Sequence, residues 1–258
     1  MDLKIADKLF VVTGGTSGFG LAIVETLLQE GAQLIVNARG EKALNRLVDL
    51  YGNRVEVVAG DISTDAVISE IFRKIAGRSL EGIVINAGGP PAMSFLDTEI
   101  TDWDKAYESL LRWKIKITKE ALDIFLDQNY GRLVYLESST VKQPLENLVL
   151  SNSMRLAVVG MVKTLSQEVA DKGITANIIA PGYHDTPAID RLVKNKASNL
   201  HVSEEEAKLL ITKEIKVGFL GDAHDLASMV AWILSPHSKF ITGQTISMDG
   251  GVIKGTMG

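Results

Sequence analysis

The chain has 258 residues, of which 46% are hydrophobic and 23% charged, with a net charge of −5 and no cysteine. A chain of this length and composition packs as a globular protein, burying roughly 70–75% of its extended surface without covalent staples. The missing cysteines exclude disulfides, thiolate metal sites and a cysteine nucleophile. An acidic balance with no Lys/Arg cluster to offset it argues against nucleic acid as a partner. The charged N-terminus is no signal peptide, and no apolar run approaches the roughly 20 residues of a membrane span. The expectation is a soluble, cytoplasmic protein.

Along the chain, apolar strand-like runs alternate with helical patterns. Residues 9–13 read as a buried strand, followed by glycines and then a helical repeat over 21–28. Gly31 ends that helix and 33–36 is the next strand. A helix at 41–50, a strand at 55–59, a helix at 66–76 and a strand at 83–86 follow. Later strands fit 132–136, 175–180 and 244–248. Strands that are apolar throughout, alternating with amphipathic helices, predict an α/β protein with a doubly wound parallel sheet and helices on both faces. No linker, repeat or low-complexity tract divides it, so residues 1–258 are expected to form one domain. The stretch at about 183–221, rich in Lys, Glu and Leu, reads as a helical insertion or substrate lid.

Between the first strand and the first helix runs Thr13-Gly14-Gly15-Thr16-Ser17-Gly18-Phe19-Gly20. A loop in that place offers backbone N–H groups and a positive helix end to a phosphate. Glycines are needed because side chains would hold the chain off a pyrophosphate. Gly14, Gly18 and Gly20 meet that demand with a strand before and a helix after, which points to a Rossmann dinucleotide site. The second strand ends in Asn37-Ala38-Arg39-Gly40 with no carboxylate before Glu41. A carboxylate there would accept from the ribose hydroxyls of NAD; Arg39 instead presents a fork suited to the 2′-phosphate of NADP(H). The other reading of Arg39 is a solvated surface residue.

With these motifs, the chain resembles the short-chain dehydrogenase/reductase family, particularly its β-ketoacyl-ACP-reductase-like members. Further matches are Asp61-Ile62, Asn86-Ala87-Gly88-Gly89, Ser138, Ala180-Pro181-Gly182 through Thr186, and the tail from Ile241-Thr242-Gly243 to Asp249-Gly250-Gly251. The resemblance implies that Asp61, with Ile62 beside it, touches adenine and that Asn86, Ala87 and Gly88 line the ribose. It places Pro181, Gly182 and Thr186 at the nicotinamide, and Thr16, Ser17 and Phe19 in the phosphate loop.

The family's catalysis uses a Ser to polarise a carbonyl, a Tyr with a nearby Lys to supply the proton, and an Asn in a relay. Ser138 fits the Ser. Counting from the motifs, however, Ser151 stands at the Tyr, Arg155 at the Lys and Leu110 at the Asn. Ser-x-x-x-Arg in place of Tyr-x-x-x-Lys marks a divergent subgroup. A serine hydroxyl is a weaker acid than a phenol, and Arg155 keeps the cation but cannot release a proton. Tyr183, His184, Lys142, or a water bridged by Ser151 are the other proton sources to consider, beside the plainer reading of those side chains as packing and surface residues.

Two functions compete. One is an NADP(H)-dependent, 3-oxoacyl-ACP-reductase-like carbonyl reductase with an altered proton donor, acting on a small carbonyl compound or acyl thioester. The other is an NADP(H)-binding protein without redox turnover, a sensor or partner-stabilising subunit. A lyase or isomerase that uses the site for polarisation alone is a third. No His/carboxylate spacing suggests a metal. The family resemblance also implies a homotetramer or homodimer through helices at about 102–129 and 151–172 and the segment 252–258.

Overall fold

The computed structural model describes residues 1–256. Residues 257 and 258, the end of the segment expected at an oligomer interface, lie outside the described residues. Seven strands form one sheet in the order β3-β2-β1-β4-β5-β6-β7. They are β1 (Leu9–Thr13), β2 (Gln33–Ala38), β3 (Val55–Ala59), β4 (Gly82–Ile85), β5 (Gly131–Leu136), β6 (Ile174–Pro181) and β7 (Thr245–Met248). Every pairing is parallel, from Leu9 opposite Gln33 to Pro181 opposite Met248. The doubly wound α/β architecture read from the sequence is therefore the one found.

Parallel strands need crossovers, and these cover both faces of the sheet. Alternation along β1 shows the division of the core. Phe10 and Val12 join a cluster with α1 (Gly18–Gln29), α2 (Glu41–Tyr51) and α9 (Ala223–Leu234). Leu9 and Val11 join the opposite cluster with α3 (Asp65–Ile75), α5 (Trp113–Gln128) and α6 (Val149–Val169). The stretch read as a lid is a helical hairpin, α7 (Pro187–Leu200) and α8 (Glu204–Glu214). It has a small core of its own built on Ile189, Val193, Ala197, Ala207 and Ile211. A capping box between Ser203 and Glu206 starts α8. No helix among the described residues is long and apolar enough to cross a membrane.

One long helix expected over 102–129 is interrupted. α4 (Ile100–Tyr107) passes through a π-turn at Glu108–Arg112 before α5 begins. Trp113 donates its indole N–H to the Ser109 carbonyl within that wider turn (2.8 Å). A π-turn inserts one residue and so turns the downstream face relative to the upstream one.

The winding direction changes between β1 and β4, and there the two strand ends are stitched by one side chain. Thr13 Oγ1 donates to the Asn86 carbonyl (2.7 Å) and accepts from the Asn86 amide (2.8 Å). Thr13 is wholly buried, and its one hydroxyl serves both backbone groups of the partly buried Asn86. Thr13→Val keeps the shape but leaves both groups unpaired. It is expected to cost about 1–3 kcal/mol in urea unfolding, with an unchanged m-value.

Candidate active site

The loop after β1 is shaped by its glycines. Gly14 and Gly18 adopt left-handed backbone, with φ of 63° and 50°. A Cβ on Gly14 would lie 2.9 Å from both the backbone carbonyl oxygen and the side-chain Nδ2 of Asn86, and one on Gly20 would collide with the Gly14 carbonyl. Ser17 caps α1 in extended backbone without a side-chain hydrogen bond, and no acidic residue lies in the first turn. An uncapped, carboxylate-free helix start beside a cradle that tolerates no side chain fits a phosphate. Thr186, which caps α7, approaches the same loop: a Cβ on Gly18 would lie 3.7 Å from the Thr186 Cβ.

The remaining cofactor candidates ring the same edge of the sheet. Asn37 is committed to structure, donating to the carbonyls of Val58 (3.0 Å) and Gly60 (3.2 Å). Arg39 beyond it is exposed. The Ser63 amide and hydroxyl hold the Asp61 carboxyl below its usual range, helped by the charge of Arg39. Ile62 is turned into the core. Ala87 is partly buried and Gly88 exposed, with nothing near the position of a Gly88 Cβ. Pro181 ends β6, and the Gly182 amide donates to Met248 (2.8 Å).

The catalytic candidates lie together on two elements that pack on each other. Ser138 follows β5 and opens a short 3-10 turn at Ser139–Val141, which packs on α6, the helix of Ser151 and Arg155. The Ser138 hydroxyl accepts from the Thr140 amide (3.2 Å). The Ser151 hydroxyl accepts from Arg155 Nε (3.1 Å) across one helical turn. Among the described residues neither hydroxyl donates a hydrogen bond, so each retains its proton for an outside acceptor. Gly89 overhangs Ser151 and Arg155: a Cβ there would lie 3.4 Å from Arg155 Nη2 and 3.9 Å from Ser151 Oγ.

Behind Arg155 lie two charges that the sequence reading did not single out. Arg155 Nη1 donates to Glu137 Oε2 (2.8 Å), and Lys114 Nζ pairs with Glu137 Oε1. The Lys114 and Glu137 side chains are 1% and 0% exposed. Burial pulls the Lys114 ammonium below the usual lysine range; Glu137 opposes the fall and Arg155 adds to it. A signal was present in the sequence. Lys114 falls inside the buried stripe Leu110, Trp113, Ile117 and Ala121, and Glu137 directly follows a wholly buried strand. A charge in such a place needs a partner.

The other candidate proton sources stand as follows. Tyr183 donates to Glu214 Oε2 (3.1 Å), and burial together with that carboxylate pushes its phenol up to about 12. Burial lowers the His184 imidazole, which stands edge-on to Phe19 at 5.0 Å with Nδ1 3.2 Å from the Gly182 carbonyl. The Lys142 amide donates to the Ser139 carbonyl, and its side chain is partly exposed. Leu110 is buried within the π-turn. No group of His, Asp and Glu able to hold a metal occurs among the described residues.

The charge triad makes a stability prediction. Glu137→Gln leaves two buried cations without an anion and should cost about 3–5 kcal/mol, whereas Lys114→Met leaves a neutral Glu137–Arg155 pair and should cost far less. Thermal and urea unfolding of the two variants checks that order.

Comparison with known proteins bears on the family and the fold. Residues 14–253 match the family described as enoyl-(acyl carrier protein) reductase. The chain is 27% identical over 251 residues to the 3-oxoacyl-[acyl-carrier-protein] reductase FabG of Rickettsia typhi, covering 97% of this chain and 99% of that one. Among solved structures, YwfH, an NADPH-dependent reductase involved in bacilysin biosynthesis, superposes with a TM-score of 0.90 at 26% identity, covering 97% and 100% of the two chains. A variant of actinorhodin polyketide ketoreductase with NADPH gives a TM-score of 0.88 at 28% identity, over 95% and 97%. Full-length similarity of sequence and fold to these reductases means that the chain belongs to the short-chain dehydrogenase/reductase family of oxidoreductases.

Proposed function

We propose that the protein is an NADP(H)-dependent carbonyl reductase, 3-oxoacyl-ACP-reductase-like, whose proton-transfer group is Ser151 supported by Arg155. The observation that carries this reading is the pair of hydroxyls, Ser138 and Ser151, each accepting an internal hydrogen bond and each with its own proton uncommitted among the described residues. Two such donors suit one carbonyl oxygen, which grows more negative as the carbon is reduced. The substrate is a small carbonyl compound or acyl thioester.

The cofactor's residues are Gly14, Thr16, Ser17, Gly18, Phe19 and Gly20 for the phosphates, with Arg39 for the 2′-phosphate. Asp61 and Ile62 serve the adenine, Asn86, Ala87, Gly88 and Arg155 the ribose, and Pro181, Gly182 and Thr186 the nicotinamide. The bound dinucleotide supplies the hydride. Ser138 polarises the carbonyl. Ser151 gives its proton to the product oxygen and recovers one from water, while the adjacent Arg155 cation stabilises the intervening alkoxide. The α7–α8 hairpin serves as the lid over this site, joined to the cofactor loop where Thr186 meets Gly18 and His184 meets Phe19. Exposed Phe95, Leu96, Ile100 and Leu156 on and beside α4 and α6 support assembly into a homodimer or homotetramer. Sedimentation at a multiple of 27.9 kDa is the expected result.

A second reading, NADP(H) binding without turnover, is favoured by one observation: the candidate phenol of the lid, Tyr183, is held on Glu214. The same assay decides between the two. NADPH absorbance is followed with β-ketoacyl thioesters and small ketones for the wild type, Ser138→Ala and Ser151→Tyr/Arg155→Lys. Turnover by the wild type that falls roughly 10²–10³-fold in Ser138→Ala establishes the reductase. Activity that emerges only in Ser151→Tyr/Arg155→Lys establishes the binding protein. For the cofactor, Arg39→Ala should weaken NADPH roughly 10- to 100-fold, the worth of one charge-assisted phosphate contact, and leave NADH affinity unchanged by fluorescence titration.

A further inference from the structure

The reading above gives Lys114 no part, and the stability of the core does not call for it. Glu137 with Arg155 alone would be a neutral buried pair; adding Lys114 puts two cations on one carboxylate. Taking a further ammonium out of water costs several kcal/mol, so the surplus charge needs another explanation.

The geometry points to one. An arginine facing a carboxylate favours two parallel hydrogen bonds, one to each oxygen. Here Lys114 occupies Glu137 Oε1, and Arg155 reaches only Oε2, through Nη1 alone. Its Nε is thereby released and lies on Ser151 Oγ. We propose that Lys114 is a positioning residue of the reductive site: by holding one oxygen of Glu137 it denies Arg155 the two-pronged pairing and keeps Nε on Ser151. Ser151 Oγ then has an acceptor lone pair filled from behind, and its O–H is directed outward, because arginine offers donors only. Lys114 and Arg155 both donate to the Glu137 carboxylate, and from Arg155 outward the donors run through Ser151 to the substrate oxygen. Lys114 sits on the buried face of α5, which Trp113, Ile117 and Phe125 hold in the core. The proposal rests on the reductase reading for its consequence, not for its geometry.

The test is Lys114→Met, which keeps the stem's bulk and leaves a neutral pair. A crystal structure of the variant is expected to show Arg155 on both oxygens of Glu137 and off Ser151. With the substrate found in the panel above, kcat is expected to fall roughly 10- to 100-fold, as misplaced catalytic groups commonly do. The NADPH Kd should stay within about threefold of wild type, a split that general unfolding would not give. An Arg155 that remains on Ser151 in the variant, or an unchanged kcat, overturns the proposal. Should Lys114→Met fail to fold, 15N NMR of the wild type decides instead. Glu137 from β5 and Arg155 from α6 are the charged groups facing Lys114. The Arg155 Nε–H signal should therefore shift in step with the alkaline titration of Lys114, and an indifferent signal overturns the idea. A wild type that binds NADPH but turns over nothing overturns the reductase reading alone; the placement of Arg155 is still decided by the structure and the spectrum.

Discussion

Every strand of the sheet is parallel, and the rest of the molecule follows from that constraint. Parallel strands cannot be joined by tight turns, so each is followed by a crossover that must bury an apolar face on the sheet. Filling both faces requires the winding to reverse once, and it reverses between β1 and β4. Neighbouring connections part there toward opposite faces, which leaves a cleft at the carboxyl ends of the strands. Thr13 and Asn86 close the bottom of that cleft, the glycine loop forms one wall, and the β5–α6 pair forms the other.

Within the cleft the two walls are built on different principles. The candidate cofactor wall is built by absence: no side chain at Gly14 or Gly20, no side-chain hydrogen bond capping α1, no carboxylate in its first turn. The wall that carries the catalytic candidates is built by crowding charges. Two cations and one carboxylate are gathered out of water behind two serines, in a place where each unmet charge would be expensive. The low dielectric that makes such a cluster costly also makes its orientation firm, because no solvent competes for its hydrogen bonds.

Much of this was legible in the sequence, and the reasons differ by residue. β1 and β3 are bounded in the structure as the apolar runs bound them; β1 is buried on both faces and has no polar position to blur its ends, and β3, half-buried at the sheet edge, is delimited by Arg54 before it and Gly60 after it. Gly14, Gly18 and Gly20 were readable because a left-handed or contact-limited backbone admits little else. Ser138, Ser151 and Arg155 were placed by spacing along one helix and from one strand, and the structure brings them onto adjoining elements. The triad was not foreseen. Lys114 and Glu137 are 23 residues apart and on different elements, and no local period relates a helix position to a strand end. The π-turn was also missed, since one inserted residue barely disturbs a hydrophobic stripe over so short a span.

That turn does more than bend a helix. An α-helix advances about 100° per residue, so one extra residue rotates everything before it by that angle relative to everything after. The downstream half is locked into the core by Trp113, Ile117 and Phe125. The upstream half carries the exposed Ile100 and, just before it, Phe95 and Leu96. The π-turn is therefore a phase setting between an inner surface and an outer one. Deleting a single residue from Glu108–Arg112 would leave nearly the same helix, yet the apolar residues at its outer end would point about 100° away from their present direction relative to the core.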